Sequence, residues 1–114
     1  MSKFNIKHPF GAIDSQVLTP AAAVSVDIVQ DTLLSFDAAL SANMTLNASV
    51  GNDVPDGTRL HLTAQSDGTA RSITLGTGFA AATVIAGTAS KTKCIEFVLS
   101  GGVFYPVGTA ITID

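Results

Sequence analysis

The chain has 114 residues, of which 46% are hydrophobic and only 13% are charged, and its formal net charge at pH 7 is −3. Such a chain fits one domain with a core that needs neither disulfides nor metal, and its composition argues against intrinsic disorder. Six Lys and Arg spread over the whole length argue against nucleic-acid binding, and no apolar run reaches the roughly 18 residues of a membrane helix.

The N-terminal segment, residues 1–23, carries large apolar side chains without strand-like alternation, followed by a Pro/Ala linker. These side chains are Phe4, Ile6, Phe10 and Ile13. Four such groups in thirteen residues are more than a solvated tail needs, although a frayed terminus is the ordinary alternative. We therefore predict an arm over residues 1–23 that anchors the protein to a capsid or to another subunit, and a β-domain over residues 24–114.

The clearest strand signal lies at residues 42–49, where apolar residues alternate with Asn, Thr and Ser. Residues 24–36 are also predicted to be extended, and residues 59–65 alternate in the same way. The Pro- and Gly-containing turn at residues 52–57 predicts that 42–49 and 59–65 are sequential strands joined by a tight loop.

Two Gly-containing dipeptides predict hairpins. Asp67-Gly68 separates the second of these strands from a third at residues 71–75. Gly101-Gly102 separates residues 93–99 from a returning strand that begins at residue 103. Because Pro106 cannot donate a ladder hydrogen bond, this last strand is expected at a sheet edge or at a bulge.

Together these signals predict an all-β fold, a small antiparallel, jelly-roll-like β-sandwich with an extended N-terminal arm. The dipeptide Gly-Thr recurs five times at unequal intervals, so a solenoid repeat is not predicted. The side chains expected in the core are Leu46, Leu62, Ile73, Ile95 and Phe97.

Residues capable of catalysis or metal binding form no recognisable constellation in the sequence. His8 lies in the predicted arm and His61 on the polar face of a strand. The aspartates that could supply an acid pair fall in turns, where Asp bonds the backbone: Asp53, Asp56 and Asp67. Calcium binding by Asn52, Asp53 and Asp56 is an alternative, but this run lacks a recognised calcium-loop pattern. We predict no enzymatic activity, no cofactor and no metal, and Cys94 has no assigned role.

Four segments between Phe36 and Val107 follow one another in a characteristic order. They are LSANMTLNAS, VPDGTRLHLTAQSDGTARSITLGTGF, a Gly/Thr-rich stretch and KCIEFVLSGGVFYPVG. This order resembles a small β-module that recurs in bacteriophage virion proteins, including fibre and head-associated proteins. Related modules often carry Trp where this chain has Leu75-Gly76. The resemblance implies a sandwich or jelly-roll-like unit, commonly trimeric, displayed on a particle.

The sequence thus predicts a structural protein of a bacteriophage virion, either a head decoration (cement) protein or a short head-fibre protein. Its expected partners are two further copies and the major capsid protein or another virion protein, without nucleic acid or membrane, after synthesis in the host cytoplasm. The alternative is a receptor- or glycan-binding module of a phage tail or fibre tip. Of Phe104 and Tyr105, one is expected in the core and the other outside. A small polysaccharide-acting enzyme is a more distant alternative.

Overall fold

The computed structural model describes residues 14–80 and 83–113, with only the backbone at Thr83, and these residues contain nine β-strands and no helix. The strands are β1 Asp14–Leu18, β2 Ala23–Ile28, β3 Thr32–Phe36, β4 Met44–Val50, β5 Arg59–Gln65, β6 Ser72–Leu75, β7 Thr83–Ala86, β8 Thr92–Ser100 and β9 Val103–Thr112. The all-β prediction is confirmed for this part of the chain.

The strands form two mixed sheets that pack on each other. The five-stranded sheet has the order β1-β3-β5-β8-β9, and the four-stranded sheet has the order β2-β4-β6-β7. Along most strands every second side chain is buried, and these side chains join in one apolar cluster. All five residues predicted for the core are buried: Leu46, Leu62, Ile73, Ile95 and Phe97.

The first six strands alternate between the two sheets. β1, β3 and β5 lie side by side in one sheet and β2, β4 and β6 in the other, and every neighbouring pair among them is parallel. Parallel neighbours need a crossover connection, and here each crossover contains a strand of the opposite sheet. The prediction of an antiparallel sandwich is therefore wrong for this half of the fold.

The predicted hairpin at Asp67-Gly68 is also wrong, because β5 and β6 belong to different sheets. This turn is a corner at which the chain changes sheet. The Asp67 carboxylate accepts hydrogen bonds from the backbone N–H of Thr69 at 3.0 Å and from the Arg71 guanidinium, and the Ser66 hydroxyl accepts one from the Arg71 backbone N–H at 3.1 Å. The strands at 42–49 and 59–65 are sequential, as predicted, but they too lie in different sheets.

The antiparallel pairs are β6–β7, β5–β8 and β8–β9. The hairpin at Gly101-Gly102 is confirmed, and both glycines have positive φ. The edge position of the strand that contains Pro106 is confirmed as well, since β9 is the last strand of its sheet.

Strand β1 falls inside the segment that the sequence analysis assigned to the arm. It pairs with β3 along its whole length, with Asp14 opposite Thr32. The paired chain therefore begins no later than Asp14, rather than at residue 24. The arm residues Phe4, Ile6, Phe10 and Ile13 lie outside the described residues.

Candidate assembly surface

Large hydrophobic side chains that are exposed in the described structure lie towards the two ends of the strand order. We call the first end the β1/β2 side, which carries Val17 of β1, Val29 after β2 and Leu33 of the adjoining β3. We call the second the β7/β9 side, which carries Val84, Tyr105, Val107, Ile111 and Ile113. Each side combines an end strand of one sheet with an end strand of the other. On the first side β1 lies next to β2, because Gln16 of β1 donates a hydrogen bond to the Asp27 carbonyl oxygen of β2. Exposed apolar groups grouped in this way are typical of interaction surfaces.

Strand β9 is the main element of the β7/β9 side. Its ten residues include no charged side chain. Phe104 is completely buried and Tyr105 is 47% exposed, which confirms that one of the two faces the core and the other faces outward. Beyond Tyr105 every residue of β9 except the half-buried Ala110 is exposed. A long apolar edge strand of this kind is a template for pairing with another chain.

The outer edge of β9 is covered only at its beginning. The Phe104 N–H donates to the Gly78 carbonyl oxygen, and the Ala80 N–H donates to the Phe104 carbonyl oxygen, both at 2.9 Å. Pro106 then supplies no N–H. In the described part of the chain, no strand pairs with the outer edge of β9 from Gly108 to Thr112.

A cavity of about 300 Å³ opens between β7 and β9. It lies where β9 bulges, because the register of the β8–β9 pair shifts between Cys94 and Glu96. Its walls are mainly apolar and include Ile85, Ile95 and Pro106. Among the described residues of this lining, Lys93 alone is charged. The cavity makes the β7/β9 side concave between its two edge strands.

The central outer face of the five-stranded sheet carries charges that neutralise one another. Arg59 and Glu96 form a salt bridge, and His61 Nε2 lies 3.9 Å from the Glu96 carboxylate. His61 thus lies on the outer face, as predicted, in contact with a carboxylate that Arg59 already binds.

The remaining charges near the two sides differ in sign. Lys91 and Lys93 lie beside the end of β9, and Lys93 donates a hydrogen bond to the Thr112 hydroxyl. The carboxylates on or next to β1 and β2 are Asp14, Asp27, Asp31 and Asp37. Among the described residues none of these six side chains forms an ion pair. The β7/β9 side is therefore basic and the β1/β2 side acidic.

Two of the three aspartates predicted in turns, Asp56 and Asp67, have structural partners. Asp67 binds Thr69 and Arg71, and Asp56 Oδ1 accepts a hydrogen bond from the Gly101 N–H at 3.0 Å. No group of three His, Cys, Asp or Glu side chains that could hold a metal ion occurs in residues 14–80 and 83–113. The described part of the chain also holds no helix long and apolar enough to cross a bilayer.

Two features were missed in the sequence. Asn43 and Asn47 on the four-stranded sheet accept hydrogen bonds from the backbone N–H groups of Ser72 and Thr77, at either end of β6. The outward direction of Val107 and Ile111 was missed as well. Its signal was present, since ten consecutive residues without charge are unusual for a solvated edge strand.

Comparison with protein-family models, with curated proteins and with solved structures found no match.

Proposed function

We propose that this chain is a non-enzymatic structural protein of a bacteriophage virion, which decorates the capsid as a head decoration (cement) protein or as a short head-fibre protein. In this proposal the protein is a homotrimer bound to the major capsid protein or to another virion protein. It is made in the host cytoplasm and incorporated into the particle there, and neither nucleic acid nor membrane is a partner.

The observation that carries the proposal is the uncharged, exposed edge strand β9. A free domain with this edge would pair with other chains indiscriminately, so its exposure favours a partner that covers it in the assembled state. The charge content of 13% across the chain is also low for a surface that faces only solvent. The order of segments that resembles phage virion modules points to a particle as the place of assembly.

The two packed sheets share one apolar cluster, which supports describing the domain as a β-sandwich. Its winding differs from a jelly roll, whose strands are antiparallel, because four of its strand pairs are parallel. The sandwich provides a rigid body with two interaction sides, and the arm with Phe4, Ile6, Phe10 and Ile13 provides the anchor to the shell.

Binding to capsids tests the proposal. Expanded capsids of the encoding phage that lack this protein are mixed with the purified chain and sedimented, and bound protein is counted per capsid. We expect saturable binding at a fixed number of copies. Deletion of residues 1–13, which leaves every described strand in place, should abolish attachment while the circular dichroism spectrum stays unchanged.

A matched control is Phe4→Leu/Phe10→Leu, which keeps the arm and its apolar character and should retain binding. If the protein without residues 1–13 decorates capsids at wild-type occupancy, the arm is not the anchor. If the full chain does not bind capsids at all, the decoration role is wrong.

A receptor- or glycan-binding module is the second candidate, and the exposed ring of Tyr105 favours it, because sugars stack on exposed aromatic faces. Full-length protein that labels host cells or their surface polysaccharide, and loses this labelling on Tyr105→Ala, would support this candidate. The decoration role predicts no labelling of cells.

A further inference from the structure

We infer that the β7/β9 side of one copy packs on the β1/β2 side of the next, so that the protein assembles head to tail through a second copy of itself. This inference deepens the proposed assembly role and rests on it, since it names the surfaces through which the homotrimer forms. The occupant of the exposed β9 edge is then the β1 edge of a neighbouring chain.

The first argument is the distribution of apolar groups. Val84, Tyr105, Val107, Ile111 and Ile113 are exposed at one end of the strand order, and Val17, Val29 and Leu33 are exposed towards the other end. A head-to-tail contact brings these two apolar groups together at every junction of a closed ring. A contact between two β7/β9 sides would leave the second group in water.

The second argument is charge. Lys91 and Lys93 accompany the β7/β9 side, and on the β1/β2 side Asp37 lies at the same level along the strands, next to the end of β1, where its N–H donates to the Leu18 carbonyl oxygen. Joining unlike sides brings these lysines towards Asp37, and joining the β7/β9 sides of two copies brings lysines together. Complementary charge of this kind selects partner and orientation.

The third argument is the available backbone. β1 is an edge strand of five residues, and the outer edge of β9 is uncovered from the bulge at Gly108 to Thr112, with Ile111 and Thr112 in regular register with β8. Both strands belong to the same sheet and run in the same direction, since β1, β3 and β5 are parallel and two antiparallel steps lead from β5 to β9. A rotation about an axis along the strands would therefore set β1 of one copy parallel to β9 of the next.

Contacts between unlike surfaces close into rings when the rotation divides a full circle. Three copies then form a ring in which the β9 edge of each copy is covered by its neighbour. This arrangement accounts for the absence of charge on β9, because the strand has no solvent-facing edge in the ring.

The test uses two variants that each place an arginine within one side, where its bulk and the cost of removing its charge from water oppose packing. Val17→Arg places a cation on the β1/β2 side, and Ile111→Arg places one on the β7/β9 side. Both side chains are exposed, so neither change disturbs the core. Ser41→Arg, in the exposed loop between β3 and β4, is the matched control. Sedimentation velocity and native mass spectrometry report the mass of each protein at micromolar concentration.

We expect a trimer for the wild type and for Ser41→Arg, and monomers for each blocked variant alone. Mixing the two blocked variants should give a dimer with one copy of each, because one intact pair of sides remains and the two blocked sides repel. This dimer also shows that both variants are folded. If either variant loses its β spectrum, Val17→Ser and Ile111→Ser replace them and should raise the dissociation constant at least tenfold.

Other outcomes overturn the inference. A monomeric wild type, a Val17→Arg variant that keeps the wild-type mass, or a mixture that stays monomeric would each do so. A dimer of Val17→Arg alone would indicate like-to-like contact through β9. Capsids are absent from this experiment, so its failure leaves the decoration role to the capsid-binding assay.

Discussion

At the scale of single residues, Phe97 packs in the apolar core between the two sheets. It is completely buried on β8, and its ring meets Phe79 edge-on at a centroid distance of 5.1 Å. Phe79 in turn lies 5.9 Å from the ring of Phe104. The three aromatic side chains connect β8 and β9 to the segment that follows β6, and edge-to-face contacts of this kind stabilise beyond their area.

We therefore expect Phe97→Ala to lower the free energy of unfolding by about 3–5 kcal/mol, because it leaves a cavity between the sheets. Urea denaturation followed by circular dichroism measures this change. Ser49→Ala, on an exposed position, is the control and should change the free energy by less than about 0.5 kcal/mol. An equally small change at Phe97 would contradict the described core.

Asp67 gives the corner between β5 and β6 a dependence on pH. Its carboxylate accepts two hydrogen bonds from the Arg71 guanidinium, both at 2.9 Å, and one from the Thr69 N–H at 3.0 Å. The hydrogen bonds from Arg71, followed by that from Thr69, lower the pKa of Asp67 below its ordinary value. The ionised carboxylate is thus favoured in the folded state.

The stabilisation from this lowered pKa is fully present above about pH 4 and is lost as the pH falls through the lowered value. We expect Asp67→Asn to reduce the urea midpoint at pH 7 and pH 5 by equal amounts, and the difference from wild type to shrink below pH 4. Arg71→Gln should give the same profile, and the double variant should add little to either. A difference that stays constant down to pH 2 would refute this origin.

At the scale of elements, residues 76–80 connect the two sheets. The Gly76 N–H donates to the Leu46 carbonyl oxygen and the Thr77 carbonyl oxygen accepts from the Ala48 N–H, both on β4, whereas Gly78 and Ala80 bond Phe104 on β9. Gly78 has φ of +89°, and a Cβ there would lie 2.3 Å from the Ala48 carbonyl oxygen. Only glycine fits this crossing.

Gly78→Ala should therefore destabilise the fold by more than the roughly 1–2 kcal/mol of left-handed backbone strain alone. Gly101→Ala is the matched control, since Gly101 also has positive φ but open space around its Cα. Thermal melts of both variants measure the contrast. Equal loss at the two positions would show that the close approach to β4 does not exist.

The positions of most strands followed from local pattern, whereas their sheet membership did not. Alternation located β4, β5 and β8 because it depends only on neighbouring residues. Pairing is decided by residues far apart in sequence, such as Leu34 opposite Leu62. The dipeptide Asp67-Gly68 suits a hairpin and a corner equally well, and hydrogen bonds to Arg71 and Ser66 select the corner.

Only part of the candidate surface could be predicted, because the neighbours of a strand depend on residues far apart in sequence. Pro106 indicated an edge from its own chemistry. Which edge it would be, and that Val84 and Val107 would lie on the same side of the molecule, required the strand order. The alternation of successive strands between the two sheets produces no fixed repeat length in the sequence. Asp14, Thr32 and Leu60 lie side by side in neighbouring strands, yet they are separated by 18 and 28 residues.

At the scale of the whole molecule, the fold begins with β1, so truncations on either side of Asp14 should differ. Deleting residues 1–13 should change the free energy of unfolding by less than about 0.5 kcal/mol. Deleting residues 1–18 removes β1, including Leu18, which packs against the core, and should cost about 2 kcal/mol or more. Urea denaturation of both proteins at concentrations that keep them monomeric measures this. Equal stability would show that β1 contributes nothing to the domain.

The position of β1 has a consequence for mechanical load. If residues 1–13 hold the protein on a shell, any force on the exposed body passes through β1, which pairs only with β3 among the described strands. Five residue pairs at a sheet edge resist force weakly, because an edge strand can detach without disturbing the other strands. In the head-to-tail ring the β9 strand of a neighbour would hold the other edge of β1. In the ring, β1 would no longer be the first strand to detach under tension. It would be an interior strand, and the force would be distributed over three chains.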